Sequence, residues 1–181
     1  MLRLFIIFFF LLFILNANAD NRKNVIDNLK NISNLSFEFE QNVNGKIENG
    51  NCTIEYPKKM YCLYKKNNKV LVSNGKSLVI KTISSYYRYP LEKTPLDLIL
   101  DKNFLINKIY DSKEKIIEQS YINYTIIENE NEIDVFFDLK TFNLIGWQTK
   151  DIYQNEALTL LYSILVNQEI KEGLFKLPFQ N

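Results

Sequence analysis

Residues 36–41 read Ser-Phe-Glu-Phe-Glu-Gln, a strict apolar/polar alternation, and Asn44-Gly45 follows shortly after. Period two places the phenylalanines on one face and the glutamates on the other, as in a half-buried strand. Asn-Gly favours a two-residue turn of type I′, because both central positions need positive φ. Together they predict a register in which Val43 faces Lys46, Phe39 faces Gly50 and Phe37 faces Cys52. An aromatic ring over a cross-strand glycine covers a weak spot in a sheet. Phe37, Phe39, Cys52, Ile54 and Tyr56 then share an apolar face, with Glu38, Glu40, Thr53 and Glu55 opposite. Glu38 and Glu40 read as an exposed strand face, not an acid–base couple.

The rest of the chain reads mostly as strands and turns. Val25, Ile26, Leu29, Ile32 and Leu35 recur at helical spacing and predict a helix over 22–34. A turn at Pro57-Lys58-Lys59 leads to Met60, Cys62 and Tyr64 alternating with Tyr61, Leu63 and Lys65. Asn74-Gly75 joins Val70–Val72 to Leu78–Ile80, with Leu71 facing Leu78 and Val70 facing Val79. Both faces of this hairpin are apolar, so each must be covered. In 94–101, Thr94 is the expected N-cap, Pro95 suits the first helical position and Asp97 puts an acid in the first turn. Leu96, Leu98, Ile99 and Leu100 make this helix apolar nearly all round, and at about two turns it must rest on an apolar surface. Further strands are expected at 114–128, 132–138 and 143–151, while 156–166 fits either a strand or a helix. The fold class is mainly β (α+β), with antiparallel strands.

The N-terminus reads as an address. Arg3 precedes an uninterrupted apolar run of 12 residues, Leu4–Leu15, and Ala17-Asn18-Ala19 is a small-x-small cleavage site. This is the pattern of a cleavable secretory signal over 1–19, leaving 20–181 as a single exported, soluble domain beginning at Asp20. The run falls short of the roughly 20 residues a membrane span needs. Aspartate, not cysteine, follows the site, so lipid attachment there is not indicated.

Composition excludes several functions. The chain has 22 basic and 21 acidic residues, and Arg3 is the lone charge in 1–19, so the remainder is neutral and unsuited to general nucleic-acid binding. It has no histidine, hence no Ser-His-Asp triad and no imidazole-ligated zinc. No cofactor, metal or catalytic residue is expected, and an enzyme is the least favoured reading. Export makes a Cys52–Cys62 disulfide feasible. A three-residue Pro57–Lys59 loop, however, sets Ile54 opposite Cys62 and Cys52 opposite Tyr64. The cysteines are then diagonal neighbours about 7–8 Å apart, which favours two buried thiols and leaves the disulfide open.

Four stretches in order resemble the LolA family of periplasmic lipoprotein carriers, especially its alphaproteobacterial form. They are Leu35-Ser36-Phe37-Glu38-Phe39-Glu40-Gln41, Gly50 leading through Tyr56-Pro57-Lys58-Lys59-Met60, Val72-Ser73-Asn74-Gly75-Lys76-Ser77-Leu78, and Arg88-Tyr89-Pro90-Leu91-Glu92-Lys93-Thr94-Pro95-Leu96. Leu144-Ile145-Gly146-Trp147 with Asp151 is a weaker echo. The resemblance implies an incomplete antiparallel β-barrel with short helices forming a lid over a hydrophobic cavity. It also implies a monomeric periplasmic chaperone for the acyl chains of outer-membrane lipoproteins. An inner-membrane ABC complex would load such a carrier, and an outer-membrane acceptor would unload it. On that basis Phe37, Phe39, Ile54, Met60, Tyr64, Leu71, Leu78 and Ile80 are candidate cavity residues, and Pro95, Leu96, Leu98, Ile99 and Leu100 form the lid. The family often places a lid-contacting arginine where this chain has Tyr61, so Tyr61 or Arg88 is the candidate replacement. The alternative is a secreted binding module for another apolar ligand, a fatty acid or a glycolipid.

Overall fold

The computed structural model describes residues 20–66, 68–128, 131–151 and 154–180. The leader expected at 1–19 lies outside them. The chain begins with helix α1 (Asn21–Asn31), capped by Asp20, whose carboxylate accepts from the Lys23 N–H at 3.0 Å. Six strands follow: β1 (Asn34–Val43), β2 (Lys46–Glu55), β3 (Lys59–Tyr64), β4 (Val70–Asn74), β5 (Ser77–Lys81) and β6 (Tyr86–Pro90). A 3-10 turn (Leu91–Lys93) and helices α2 (Leu96–Ile99) and α3 (Lys102–Asp111) interrupt the strands. The chain then forms β7 (Glu114–Ile117), β8 (Tyr121–Glu128), β9 (Asn131–Asp138), β10 (Leu144–Lys150) and β11 (Glu156–Val166).

All strands join one 11-stranded sheet in the order β6-β5-β4-β3-β2-β1-β11-β10-β9-β8-β7, and every pairing is antiparallel. The edges β6 and β7 do not pair, so the barrel is incomplete. The three helices occupy its inner face. Val25, Ile26 and Leu29 of α1 and Leu105 and Ile109 of α3 share one core with Leu35, Ile54, Tyr124, Ile126, Val135 and Phe137.

The predicted β1–β2 register is observed: Val43 pairs with Lys46, Phe39 with Gly50 and Phe37 with Cys52. Asn44 and Gly45 have φ of 50° and 83°, as a type I′ turn needs. The next two registers differ from expectation. Lys58, at φ 65°, turns the chain back one residue early, so the loop is Tyr56–Lys58 and Glu55 pairs with Lys59. Cys52 therefore lies opposite Cys62, at a Cα–Cα separation of 4.1 Å, and the two form a disulfide. The favoured pair of thiols is thereby corrected. In β4–β5 the two-residue turn is Gly75-Lys76, because the Asn74 carboxamide oxygen accepts from the Lys76 and Ser77 N–H groups at 3.0 Å each. Leu71 faces Ile80 and Ser73 faces Leu78, instead of Leu71 facing Leu78.

Two further expectations are corrected, and one left open is resolved. The 94–101 helix starts at Leu96 with Pro95 as its N-cap, and the Thr94 hydroxyl donates backward to the Leu91 carbonyl at 2.8 Å. The 114–128 strand breaks into a hairpin where Glu118 and Gln119 adopt positive φ. Segment 156–166 is a strand.

The C-terminal segment supplies the second cover that the apolar β4–β5 hairpin requires. Asn167 and Gln168 are tied to Asn34 by backbone and carboxamide bonds of 2.9–3.0 Å. The segment then crosses the outer face, with Leu174 beside Tyr61 and Leu63, Phe175 near Lys59, and the Phe179 carbonyl accepting from Lys81 at 2.8 Å. On that outer face Val72 and Val79 are only 1% and 0% exposed.

Candidate functional site

Helices α1 and α3 fill only part of the inner face. Between β1–β6 and β10–β11 a cavity of about 390 Å³ remains. Leu71, Leu78 and Ile80 point into it from β4 and β5, Tyr87 and Tyr89 from β6, and Trp147 and Ala157 from β10 and β11. Thr94, Pro95 and Leu96 line it from the α2 segment. A recess of about 30 Å³ lies behind it, bounded by Phe39, Met60, the Cys52–Cys62 pair and Leu96.

Period-two alternation builds this wall. Phe37, Phe39, Gln41 and Val43 share one side of β1, and the Tyr64 hydroxyl donates to the Gln41 carboxamide oxygen at 3.1 Å. Gln41 Nε2 donates to the Thr159 hydroxyl at 3.0 Å, which satisfies a polar group placed against an apolar wall. Phe39 and Tyr64 stack edge to face at 4.9 Å. Burial, reinforced by the Glu48 charge, pushes the Tyr64 phenol well above its ordinary value, so Tyr64 stays neutral.

Charged groups gather where the turns after β1, β3, β5 and β10 meet. Lys69 pairs with Glu48 and lies over the Tyr64 ring at 3.7 Å, while Lys46 Nζ is 3.3 Å from Glu48 Oε1. Burial pushes the Glu48 carboxyl up, but the Lys69 hydrogen bond and both ammonium charges outweigh it and hold the group below its usual range.

Tyr64, Leu71, Leu78, Ile80, Pro95 and Leu96 thus line the main cavity, and Phe39 and Met60 line the recess. Phe37 and Ile54 lie in the core beside these walls, Phe37 against Trp147 with ring centroids 6.4 Å apart. Ile99 and Leu100 are fully buried in that core, and Leu98 packs against it. Tyr61 and Arg88 do not reach α2. Tyr61 pairs with Thr53 and Val72 on the outer face, and Arg88 donates to the Ser77 hydroxyl there at 3.0 and 3.2 Å.

The basic contact to α2 comes from Lys58, which sequence reasoning missed. Its Nζ lies 2.9 Å from Asp97 Oδ1 and 3.6 Å from Asp101 Oδ2, and its N–H donates to the Leu100 carbonyl at 2.8 Å. The Asp97 hydrogen bond outweighs partial burial and raises the Lys58 ammonium above its ordinary value. Gln41, Tyr87, Tyr89, Lys69 and Trp147 were also missed as lining residues. Continuing the alternation past Phe39 reaches Gln41, and the same period along 86–90 pairs Tyr87 with Tyr89.

Three comparisons bear on this architecture. A search of curated proteins finds no match to this sequence. Among solved structures, a LolA superfamily protein from Nitrosomonas europaea aligns at 7% identity over 85% of this chain and 96% of its own, with a TM-score of 0.42. A putative outer membrane lipoprotein-sorting protein domain from Vibrio parahaemolyticus aligns at 7% identity over 87% and 94%, with a TM-score of 0.43. MucB aligns at 8% identity over 90% of this chain and 64% of its own, with a TM-score of 0.47. The family profile described as outer membrane lipoprotein carrier protein LolA matches residues 30–178, and the chain belongs to that family.

Proposed function

We propose that this protein is a periplasmic chaperone that shelters the acyl chains of outer-membrane lipoproteins and carries them from the inner to the outer membrane. It works by binding and release, without chemistry. The cavity of about 390 Å³ beside α2 is the observation that carries this reading. At ~30 Å³ per methylene-sized group, it has room for about a dozen carbons of an acyl chain. A leader at 1–19 would deliver the protein to the periplasm. An inner-membrane ABC complex would load it, and an outer-membrane acceptor would unload it.

Release matters as much as capture. Each methylene withdrawn from water contributes about 0.8 kcal/mol, so the dozen or so carbons that the cavity can hold gain on the order of 10 kcal/mol. A site that kept all of that would not let go. Closing the empty cavity with Leu96 and the α2 segment, held by Lys58, opposes binding and lowers the net affinity. Depletion of the protein followed by fractionation of the two membranes tests the reading. Lipoproteins retained in the inner membrane are expected; unchanged sorting would overturn the carrier role.

A further inference from the structure

The cavity has a charged end that reaches the surface and an apolar end that does not. Lys46, Lys69, Glu48 and Asp151 line the first, two charges of each sign, and the Lys46 side chain is 72% exposed. Beyond the second lies the recess of about 30 Å³, with no charged lining residue among those described. Gln41, Tyr64, Leu71, Leu96 and Trp147 line both spaces and form the partition between them. Four of the five belong to the sheet. Gln41 and Tyr64 are held by their mutual hydrogen bond of 3.1 Å, and Trp147 meets Phe37 edge to face. Leu96 alone comes from outside the sheet, at the first position of α2. It is half-buried where Ile99 and Leu100 are fully buried, because it borders both open spaces. Its carbonyl accepts from the Leu100 N–H at 2.9 Å, and Lys58 braces the same turn through Asp97 and the Leu100 carbonyl.

We propose that Leu96 is the end stop of the cavity and sets the length of chain it accepts, about a dozen carbons. This rests on reading the cavity as an acyl-chain site, to which it adds a length limit and the residue that imposes it. The chain enters tail first, since a polar head at the apolar end would be buried without a partner. Up to the limit, each further methylene leaves water and tightens binding about fourfold. Carbons beyond it stay outside the mouth, in water, and add nothing. Leu96 is the member of the partition that can be shortened without breaking a hydrogen bond or removing a strand residue. Replacing it by alanine clears about three carbons' worth of space and joins the recess to the cavity, which adds about one more.

Trp147 is the chain's only tryptophan and lines both spaces, so its fluorescence reports their occupancy. The full chain is titrated with saturated fatty acids from octanoate to stearate, each below its aggregation concentration. Affinity for the parent is expected to climb to laurate and then level off, with palmitate within about twofold of laurate. In Leu96→Ala the climb should continue, so that palmitate binds at least tenfold more tightly than laurate. Leu96→Phe should move the limit the other way, with laurate no better than decanoate, and serves alone should Leu96→Ala not fold. Leu98→Ala, which changes a residue lining neither space, should keep the parent's limit. A loosened α2 would shift every affinity together and leave the limit where it was. A parent affinity that rises undiminished from laurate to palmitate overturns the end stop and leaves the acyl-chain site standing. A limit unmoved by the substitutions at Leu96 overturns it as well. If no acid of the series binds, the acyl-chain reading fails and the limit fails with it.

Discussion

Lys58 Nζ lies 2.9 Å from Asp97 Oδ1, so the β2–β3 turn is pinned to the first turn of α2. The turn also accepts the Ser73 hydroxyl on the Lys58 carbonyl at 2.7 Å, which ties it to β4. A four-residue helix cannot persist without such contacts.

Lys58→Gln removes the charge and keeps most of the stem. The Lys58 side chain is 32% exposed, so global stability should fall by only about 0.5–1 kcal/mol. The local effect is larger. Hydrogen exchange at the Leu100 and Asp101 amides, which bond to Leu96 and Leu98, should accelerate severalfold, while amides within α3 keep the parent rate. Unchanged exchange at both would show that Lys58 does not hold α2.

Leu96 and Leu98 differ in a way that separates binding from folding. Leu96 lines both the main cavity and the recess, whereas Leu98 lines neither. Leu96→Glu should therefore weaken acyl-chain binding at least tenfold, because it places a carboxylate in the path of the chain. Leu98→Glu should act chiefly through stability. Calorimetric titration with palmitate, paired with a thermal melt of each variant, distinguishes the two.

Much of this architecture was legible because period two survives mistakes of register. The expected β2–β3 and β4–β5 pairings were each displaced by two residues, and a slide of two returns every side chain to its face. Met60, Tyr64, Leu71, Leu78 and Ile80 hence stayed on the inner side although their partners changed. The disulfide was misjudged because it depends on register itself, which the positive φ of Lys58 decides. Helix α3 carried signals that went unread: Asp101 as an N-cap accepting from the Phe104 N–H at 3.0 Å, and Leu105 and Ile109 one turn apart. The Lys58–Asp97 contact joins residues 39 positions apart, and no local pattern marks it.

Gly50 is fixed by its neighbours. A Cβ there would strike the Leu63 carbonyl oxygen and come within 2.5 Å of the Phe39 ring. Backbone cannot yield on one side and a buried ring cannot on the other, so Gly50→Ala should cost about 2–4 kcal/mol. The urea midpoint should drop accordingly with little change in slope. Gly45→Ala, where nothing lies within 4 Å, pays only for its φ of 83° and should lose less.

The disulfide spans a sequence separation of 10 between buried neighbours. Closing a loop of that size restricts the unfolded chain by somewhat under ~3 kcal/mol. Cys52→Ala/Cys62→Ala should lower stability by about that amount plus a small packing loss, read as a shift in urea midpoint. A double variant as stable as the parent would mean that packing around Phe37, Phe39 and Met60 suffices without the bond.

Glu48 gives the acid response a defined sign. Its carboxyl is held below the ordinary value, so the folded protein binds that proton less tightly than the unfolded chain does. The stability it supplies is complete above the unfolded value of about 4.3 and is lost as pH falls through the lower, folded value. Between pH 6 and pH 3 the parent should lose stability faster than Glu48→Gln, which has no proton to take up there. The two curves of urea midpoint against pH should converge on the acid side. Parallel curves would mean that Lys46 and Lys69 do not stabilise the charged form.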